Sequence, residues 1–141
     1  LVVYCLMHNH YNFIIKKNGD VSLSTLMSKV CTSYSMYFNK KYKRVGSLFQ
    51  DTFKAVRVEK NSQLLWLSAY IHQNPSVSAL VWDLSQWKWS SYQEYIDGVV
   101  GICNKEIILG QYKNGVEYRK FVESSYDTIR NSKGMKSVIL D

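Results

Sequence analysis

A tyrosine and an asparagine four residues apart, Tyr70 and Asn74, have the clearest chemical potential in this sequence. If the residues around them are helical, this spacing places the phenol and the amide on one face, one turn apart. Pro75 follows directly and predicts that the helix ends there, because proline interrupts the hydrogen bonds of a helix. A phenol can act as a nucleophile and an amide oxygen can ligate a metal, so the pair indicates a reactive site.

A tyrosine nucleophile is suited to DNA breakage that must later be resealed. Attack of a phenolate on a phosphodiester leaves a phosphotyrosine bond, which conserves the energy of the broken bond for rejoining. Because free tyrosine has a pKa of about 10, the site must stabilise negative charge on the phosphate and on the leaving oxygen. The competing interpretation is structural, since a tyrosine on an amphipathic helix commonly packs with its hydroxyl at the surface.

Two strands at the start of the chain are expected to support this site. Residues 1–7 are apolar and typical of a buried strand, and residues 10–15 predict a second strand. Side chains alternate along a strand, so His10, Asn12 and Ile14 share one face. This alternation places a histidine and an amide on the same side of the predicted sheet.

Helical periodicity predicts three further elements. The helix that carries Tyr70 spans about residues 62–74, and His72 within it is interpreted as structural or exposed. A longer helix spans residues 22–38, and a last amphipathic helix spans residues 117–130. The positions that we expect these helices to bury are Leu64, Leu67 and Ile71, then Leu23, Leu26, Met27, Val30, Tyr34 and Tyr37, and finally Tyr118, Phe121, Val122 and Ile129.

The segments between these helices are less regular. Residues 39–46 predict a basic loop, residues 52–58 a strand, and the surroundings of Tyr92 a short helix. Five large rings follow the second helix, and we interpret them as core, with stacking of nucleic-acid bases as the alternative. They are Trp82, Trp87, Trp89, Tyr92 and Tyr95.

The net charge of +7 indicates a polyanionic partner, and most of it is concentrated in one segment. Seven basic residues stand against Asp51 and Glu59 between Asn39 and Lys60, which gives this segment a net charge of +5. A solvated basic face is the alternative interpretation. Rings and cations also interleave from Tyr37 onward, as in proteins that follow a single-stranded nucleic-acid backbone. The basic residues are Lys40, Lys41, Lys43, Arg44, Lys54, Arg57 and Lys60.

Length, cysteines and hydropathy bound the class of protein. The 141 residues, 46% of them hydrophobic, predict one globular domain over residues 1–141. Cys5, Cys31 and Cys103 are odd in number and far apart, so we expect reduced thiols and a cytoplasmic location. No apolar run reaches the length of a membrane span, and no signal peptide is evident.

Four motifs occur in an order that is characteristic of one family. They are Met7–His10, Asn39–Phe53, Tyr70–Pro75 and Trp89–Tyr92. Over residues 4–95 the chain resembles the single-tyrosine, His-hydrophobic-His (HUH) transposases of the REP-associated tyrosine transposase type. The family usually has a strand and a helix before the point at which this sequence starts, so the resemblance implies an N-terminally truncated copy.

The resemblance implies roles for four residues. Tyr70 falls on the nucleophile of the family, and Asn74 on a metal-ligating amide one helical turn later. His10 falls on the first histidine of the His-hydrophobic-His motif, whereas Asn12 stands where the family has the second histidine. An amide oxygen can ligate Mg²⁺ or Mn²⁺, the divalent cofactor implied here, but it replaces a stronger imidazole donor.

The expected function is metal-assisted cleavage and rejoining of single-stranded or hairpin DNA through a 5′-phosphotyrosine intermediate, in the bacterial cytoplasm and at the nucleoid. A homodimer is compatible with the sequence. The alternative is a catalytically inactive remnant that still binds DNA hairpins, and a third interpretation is an RNA-binding sheet protein. The expected DNA contacts are Lys40, Lys41, Lys43, Arg44, Lys54 and Arg57.

The expected fold is α+β. The resemblance implies an antiparallel sheet of ferredoxin or RNA-recognition-motif type with helices packed on it. The helix that carries Tyr70 should lie against the strand that carries His10, and residues 104–141 should form a helical C-terminal extension.

Overall fold

The computed structural model describes residues 1–134, so the end of the predicted C-terminal extension, residues 135–141, lies outside the described residues. The chain divides into two compact units. Among the described residues, the first comprises Leu1–Lys16 together with residues 57–134, and the second comprises Lys17–Val56. Both of the reactive residues predicted on a helix, and both of those predicted on a strand, belong to the first unit.

The fold is mixed α+β, as the sequence predicted. The described residues form one antiparallel pair of strands and six α-helices. Their bounds are β1 (Val3–Leu6), β2 (Tyr11–Ile14), α1 (Leu23–Tyr42), α2 (Asn61–Val77), α3 (Tyr92–Ile96), α4 (Glu106–Leu109), α5 (Gly115–Ser124) and α6 (Tyr126–Gly134).

The register of the sheet fixes which side chains face the core. Cys5 of β1 lies opposite Asn12 of β2, and Val3 lies opposite Ile14. Val3 and Cys5 are fully buried, whereas the intervening Tyr4 is only half-buried. Because side chains across from each other point to the same side, Asn12 shares the buried face of the sheet.

The outer edge of β1 is covered by a segment that the sequence did not predict to be extended. The Leu6 N–H donates to the carbonyl of Trp89 at 2.8 Å, and the Ser91 N–H donates to the carbonyl of Tyr4 at 3.0 Å. These bonds satisfy backbone groups that an edge strand would otherwise expose. The motif Trp89–Tyr92 therefore serves as a third, short partner of the sheet.

Helix α2 packs against β2, the predicted neighbour, and also against β1. Its second half is buried on every side, from Ser68 to Pro75, so Tyr70 lies inside rather than at the edge of the apolar stripe. The predicted stop at Pro75 is wrong, because the helix continues to Val77. Proline has a helical φ, and although it lacks an N–H and crowds the preceding turn, the Ser78 N–H still donates to the Asn74 carbonyl at 3.0 Å.

The C-terminal helices complete the core of the first unit. The predicted helix 117–130 is divided at Ser125 into α5 and α6, although Tyr118, Val122 and Ile129 are fully buried as expected. The short helix near Tyr92 is confirmed as α3. The helical turn Leu84–Gln86 was not predicted, and helix α4 lies within the helical extension that was predicted from residue 104 onward.

The five large rings divide between core and surface. Tyr92 and Tyr95 are almost fully buried, which confirms the interpretation as core for these two residues. Trp82 is fully exposed and Trp89 is half-exposed, so that interpretation is wrong for them. Trp87 is half-buried and donates its indole N–H to the carbonyl of Leu6 at 3.0 Å.

The second unit is built on α1, which is longer than predicted. Ser22 caps its start by accepting the Thr25 N–H at 3.1 Å, and Lys43 ends it in the left-handed region at φ 51°. Met27 is the only fully buried residue of this helix, whereas the predicted buried positions Val30 and Tyr34 are 45% and 49% exposed. The predicted burial is therefore confirmed for Met27 and wrong for Leu26, Val30, Tyr34 and Tyr37.

The predicted strand 52–58 is not formed. These residues are irregular and mostly exposed, and no described strand pairs with them. A β-branched segment becomes a strand only where a neighbour accepts its backbone hydrogen bonds, and alternation alone does not supply one. No helix among residues 1–134 has the length and apolar character needed to cross a membrane.

Candidate active site

Helix α2 presents Tyr70 and Asn74 on one face, as their spacing predicted. Tyr70 is 4% exposed and Asn74 is 1% exposed. The Tyr70 ring stacks on Trp66, one turn earlier, with centroids 5.4 Å apart and an interplanar angle of 19°. The phenol is therefore held in a fixed orientation by the core rather than displayed at the surface.

A lysine from the last helix lies over this pair. The Lys133 ammonium donates to Asn74 Oδ1 and, at 3.3 Å, to Ser78 Oγ. The same ammonium lies 5.7 Å from the centroid of the Tyr70 ring, within the range of a cation–π interaction. Sequence reasoning missed this residue, because 59 positions separate it from Asn74 and no local pattern joins them.

The other end of the Asn74 amide is unsatisfied. Its Nδ2 is buried, and none of the residues that the structure describes offers it an acceptor. A buried donor without an acceptor costs free energy and calls for a physical explanation, such as a ligand or water that supplies the acceptor. The Asn74 oxygen is thus paired with a cation, whereas its nitrogen is buried without an acceptor among the described residues.

The predicted residues on the strand are in different environments. His10 lies just before β2 and is exposed, and its Nδ1 donates to Asn9 Oδ1 at 2.7 Å. The proton is on Nδ1 because the carboxamide oxygen can only accept. Asn12 is half-buried on the face of the sheet that packs against α2.

As arranged, these residues do not fit a divalent cation. A histidine nitrogen and two amide oxygens are admissible ligands, but the Asn74 oxygen is already bound by the Lys133 ammonium. No cluster of three or more histidine, cysteine or acidic side chains in residues 1–134 could hold a metal.

His72 has a structural position between the two candidate residues of α2. It is fully buried, and burial lowers its pKa from 6.5 to about 3, so the imidazole is neutral. Its Nδ1 is 2.8 Å from the Tyr118 hydroxyl, and its Nε2 is 2.9 Å from Ser91 Oγ. Ser91 Oγ also accepts the Tyr4 N–H at 3.0 Å, which links α2 to β1.

The candidate DNA contacts lie mainly in the second unit. Lys40 and Lys41 belong to the last turn of α1 rather than to a loop, which corrects that prediction. The Arg44 guanidinium donates to Asn39 Oδ1 at 3.0 Å and to the Ser47 carbonyl at 3.3 Å, so it also holds the following turn together. All six candidates are exposed: Lys40, Lys41, Lys43, Arg44 and Lys54 in the second unit and Arg57 in the first.

Comparison with known families identifies the class of protein. Residues 1–74, more than half of the chain, match the family described as "Transposase IS200 like", and the chain belongs to this family. The matched segment includes Tyr70 and Asn74 and ends before α6. No curated protein and no solved structure matches the chain significantly.

Proposed function

We propose that this transposase cleaves and rejoins single-stranded or hairpin DNA, with Tyr70 as the nucleophile. The observation that carries the proposal is the placement of Tyr70 and Asn74 one turn apart on α2, against the sheet that bears Asn12, in a chain of the IS200-like family. The ammonium of Lys133 beside both residues adds positive charge where a phosphate would have to bind.

The reaction is a transfer of one phosphate ester bond. The Tyr70 phenolate oxygen attacks the phosphorus of a phosphodiester, and the bond from phosphorus to the 3′ oxygen breaks. The phenol loses its proton, and the departing 3′ oxygen takes one up, so that a 5′-phosphotyrosine and a free 3′-hydroxyl result. Attack of a 3′-hydroxyl on the phosphotyrosine reverses these steps and reseals a strand.

The burial of Tyr70 sets a condition on this reaction. At 4% exposure the phenol cannot reach a phosphate, so side chains that cover it must move when DNA binds. Lys133 is one of these, because its ammonium lies over the ring. His10, Asn12 and Asn74 would hold a divalent ion, Mg²⁺ or Mn²⁺, only in a state in which Lys133 has left Asn74.

The test is a covalent adduct. A labelled hairpin oligonucleotide incubated with the protein and Mn²⁺ should give a protein band that carries label on a denaturing gel. Tyr70→Phe should abolish this band while DNA retention on a native gel stays within about twofold, because the ring and its packing are kept. Tyr126→Phe, a change of the same kind at the start of α6, should leave the band unchanged. A labelled band in Tyr70→Phe would exclude Tyr70 as the nucleophile.

A second candidate function is a remnant that binds DNA hairpins without cleaving them. Asn12 in place of a histidine, and a nucleophile that is 4% exposed, both favour it. The same experiment separates the two functions. Specific retention of the hairpin with no labelled band in the unmodified chain, with or without Mn²⁺, would support the remnant.

A further inference from the structure

We infer that the Lys133 ammonium holds Asn74 Oδ1 in the place of a divalent metal ion, and that the two cations exclude each other at this oxygen. The inference rests on the proposed function, because it assumes that Asn74 can ligate a metal. It goes beyond that function because it assigns to Lys133 the exclusion of the metal ion from Asn74. Lys133 lies outside the segment that matches the family, residues 1–74.

The first support is the geometry at the amide oxygen. Lys133 Nζ donates a hydrogen bond to Asn74 Oδ1, with Ser78 Oγ as a second acceptor at 3.3 Å. Asn74 is 1% exposed, so its oxygen has little room for a further partner. A metal ion at ligand distance from this oxygen would lie within a few ångströms of the ammonium.

The second support is electrostatic. Like charges a few ångströms apart repel strongly in a site from which water is largely excluded, and a divalent ion doubles that repulsion. Proteins stabilise buried charge only where a partner of opposite sign or hydrogen bonds compensate for it. Because no carboxylate is found in the candidate ligand set, nothing in it would offset a third positive charge.

The Lys133 ammonium can leave Asn74 without unfolding of α6. A lysine side chain has four rotatable bonds and is strongly hydrated in water, so its ammonium can leave the site while the helix backbone stays in place. Lys133 is only half-buried, which leaves it a path to solvent. Binding of a metal or a phosphate would supply the free energy for this movement.

The test measures metal binding directly, without DNA. Mn²⁺ is titrated into the full chain by calorimetry, and Lys133→Met removes the charge with little change in side-chain length. We expect Lys133→Met and Lys133→Gln to bind Mn²⁺ at least about tenfold more tightly than the unmodified chain, the range typical of groups that contact a metal ligand. Lys133→Arg keeps a cation and should bind as weakly as the unmodified chain.

Two controls locate the effect. Lys120→Met, the same change at an exposed lysine of α5, should leave Mn²⁺ affinity unchanged. In an Asn74→Ala background, which lacks the shared oxygen, Lys133→Met should give no gain. Urea unfolding of each variant shows that it is folded, and two neutral replacements at Lys133 protect the result against misfolding of one.

Equal Mn²⁺ affinity in the unmodified chain and in both neutral variants would overturn the inference. Absence of Mn²⁺ binding in every protein would overturn it together with the metal site. The labelled band on Tyr70 in the same samples would then show whether the proposed cleavage survives. Loss of that band in Lys133→Met without a gain in affinity would instead make Lys133 a catalytic cation, which also contradicts mutual exclusion.

Discussion

At the scale of single residues, Tyr70, Asn74 and Lys133 form one cluster, which we call the tyrosine site. The side chains of Tyr70 and Asn74 lie side by side because α2 places them there, but their chemistry depends on Lys133, which bonds to one and covers the other. Asn74 Nδ2 is buried and has no acceptor among the described residues. Under the proposed function, the Lys133 ammonium would supply positive charge beside a bound phosphate.

His72 makes stability depend on pH. Its pKa is about 3 in the folded chain because of burial, and near 6.5 once unfolded. The unfolded state therefore binds more protons between these values, so the stability that the neutral imidazole contributes is fully present above pH 6.5 and falls as the pH falls toward 3. We expect a loss of about 2 kcal/mol between pH 7 and pH 5 from this residue.

Urea unfolding at several pH values measures this loss, with His72→Gln as the matched variant. Glutamine retains a hydrogen-bonding group near Ser91 but does not titrate, so the variant should be less stable at pH 7 and flatter between pH 7 and pH 5. An equally steep loss in His72→Gln would mean that other groups, not His72, govern acid stability.

At the scale of elements, the sequence predicted the first unit well where periodicity and burial agree. The strands β1 and β2, the position of α2 and the pairing of Tyr70 with Asn74 all follow from local spacing. The stop at Pro75 was predicted wrongly, because the burial of α2 on all sides keeps the helix intact beyond a residue that usually ends one. Lys133 could not be predicted, since its bond to Asn74 is purely tertiary.

The second unit was predicted less well for a related reason. Periodicity in α1 shows which residues share a face, but not whether another element covers that face. Val30, Tyr34 and Tyr37 share such a face and are each at least 45% exposed. The segment 52–58 likewise has the composition of a strand but no described neighbour to pair with.

The end of α1 offers a test of whether DNA binding has constrained local structure. Lys43 has a φ of 51°, a conformation that costs a residue with a Cβ atom about 1 kcal/mol relative to glycine. We expect Lys43→Gly to raise the free energy of unfolding by about 1 kcal/mol and, at the same time, to weaken binding to a DNA hairpin. Urea unfolding and a binding titration measure the two effects.

Lys43→Asn is the control for this exchange. Asparagine tolerates the left-handed conformation, so this variant should lie between lysine and glycine in stability while it loses the same charge and the same DNA affinity. A Lys43→Gly variant that is less stable than the unmodified chain would show that interactions of the lysine side chain, rather than its backbone, dominate at this position.

At the scale of the whole molecule, the tyrosine site and most of the candidate DNA contacts belong to different units. The tyrosine site belongs entirely to the first unit, whereas five of the six candidate DNA contacts belong to the second. Under the proposed function, the second unit would supply affinity for the phosphate backbone and the first would supply the chemistry. The family membership supports DNA as the polyanion that the charge of +7 indicates.

The basic segment can be tested through its dependence on salt. Counterion release ties the slope of log K against log salt to the number of phosphates that the protein neutralises, with about 0.7 per phosphate for single strands. Replacement of Lys40, Lys41, Lys43 and Arg44 by glutamine should weaken hairpin binding and reduce the magnitude of this slope by about 0.7 for each phosphate no longer neutralised, to a maximum of roughly 3. Fluorescence anisotropy over a series of salt concentrations measures both quantities.

The matched control removes the same charge elsewhere. Lys16, Lys17, Lys113 and Lys120 are exposed, and their replacement by glutamine lowers the net charge equally. Because Arg44 also bonds to Asn39 and Ser47, a variant with only the three lysines changed separates charge from loop structure. An unchanged slope, or an equal change in the control, would mean that the basic segment is a solvated face. If the three-lysine variant has a smaller slope and the control does not, phosphates bind at the end of α1.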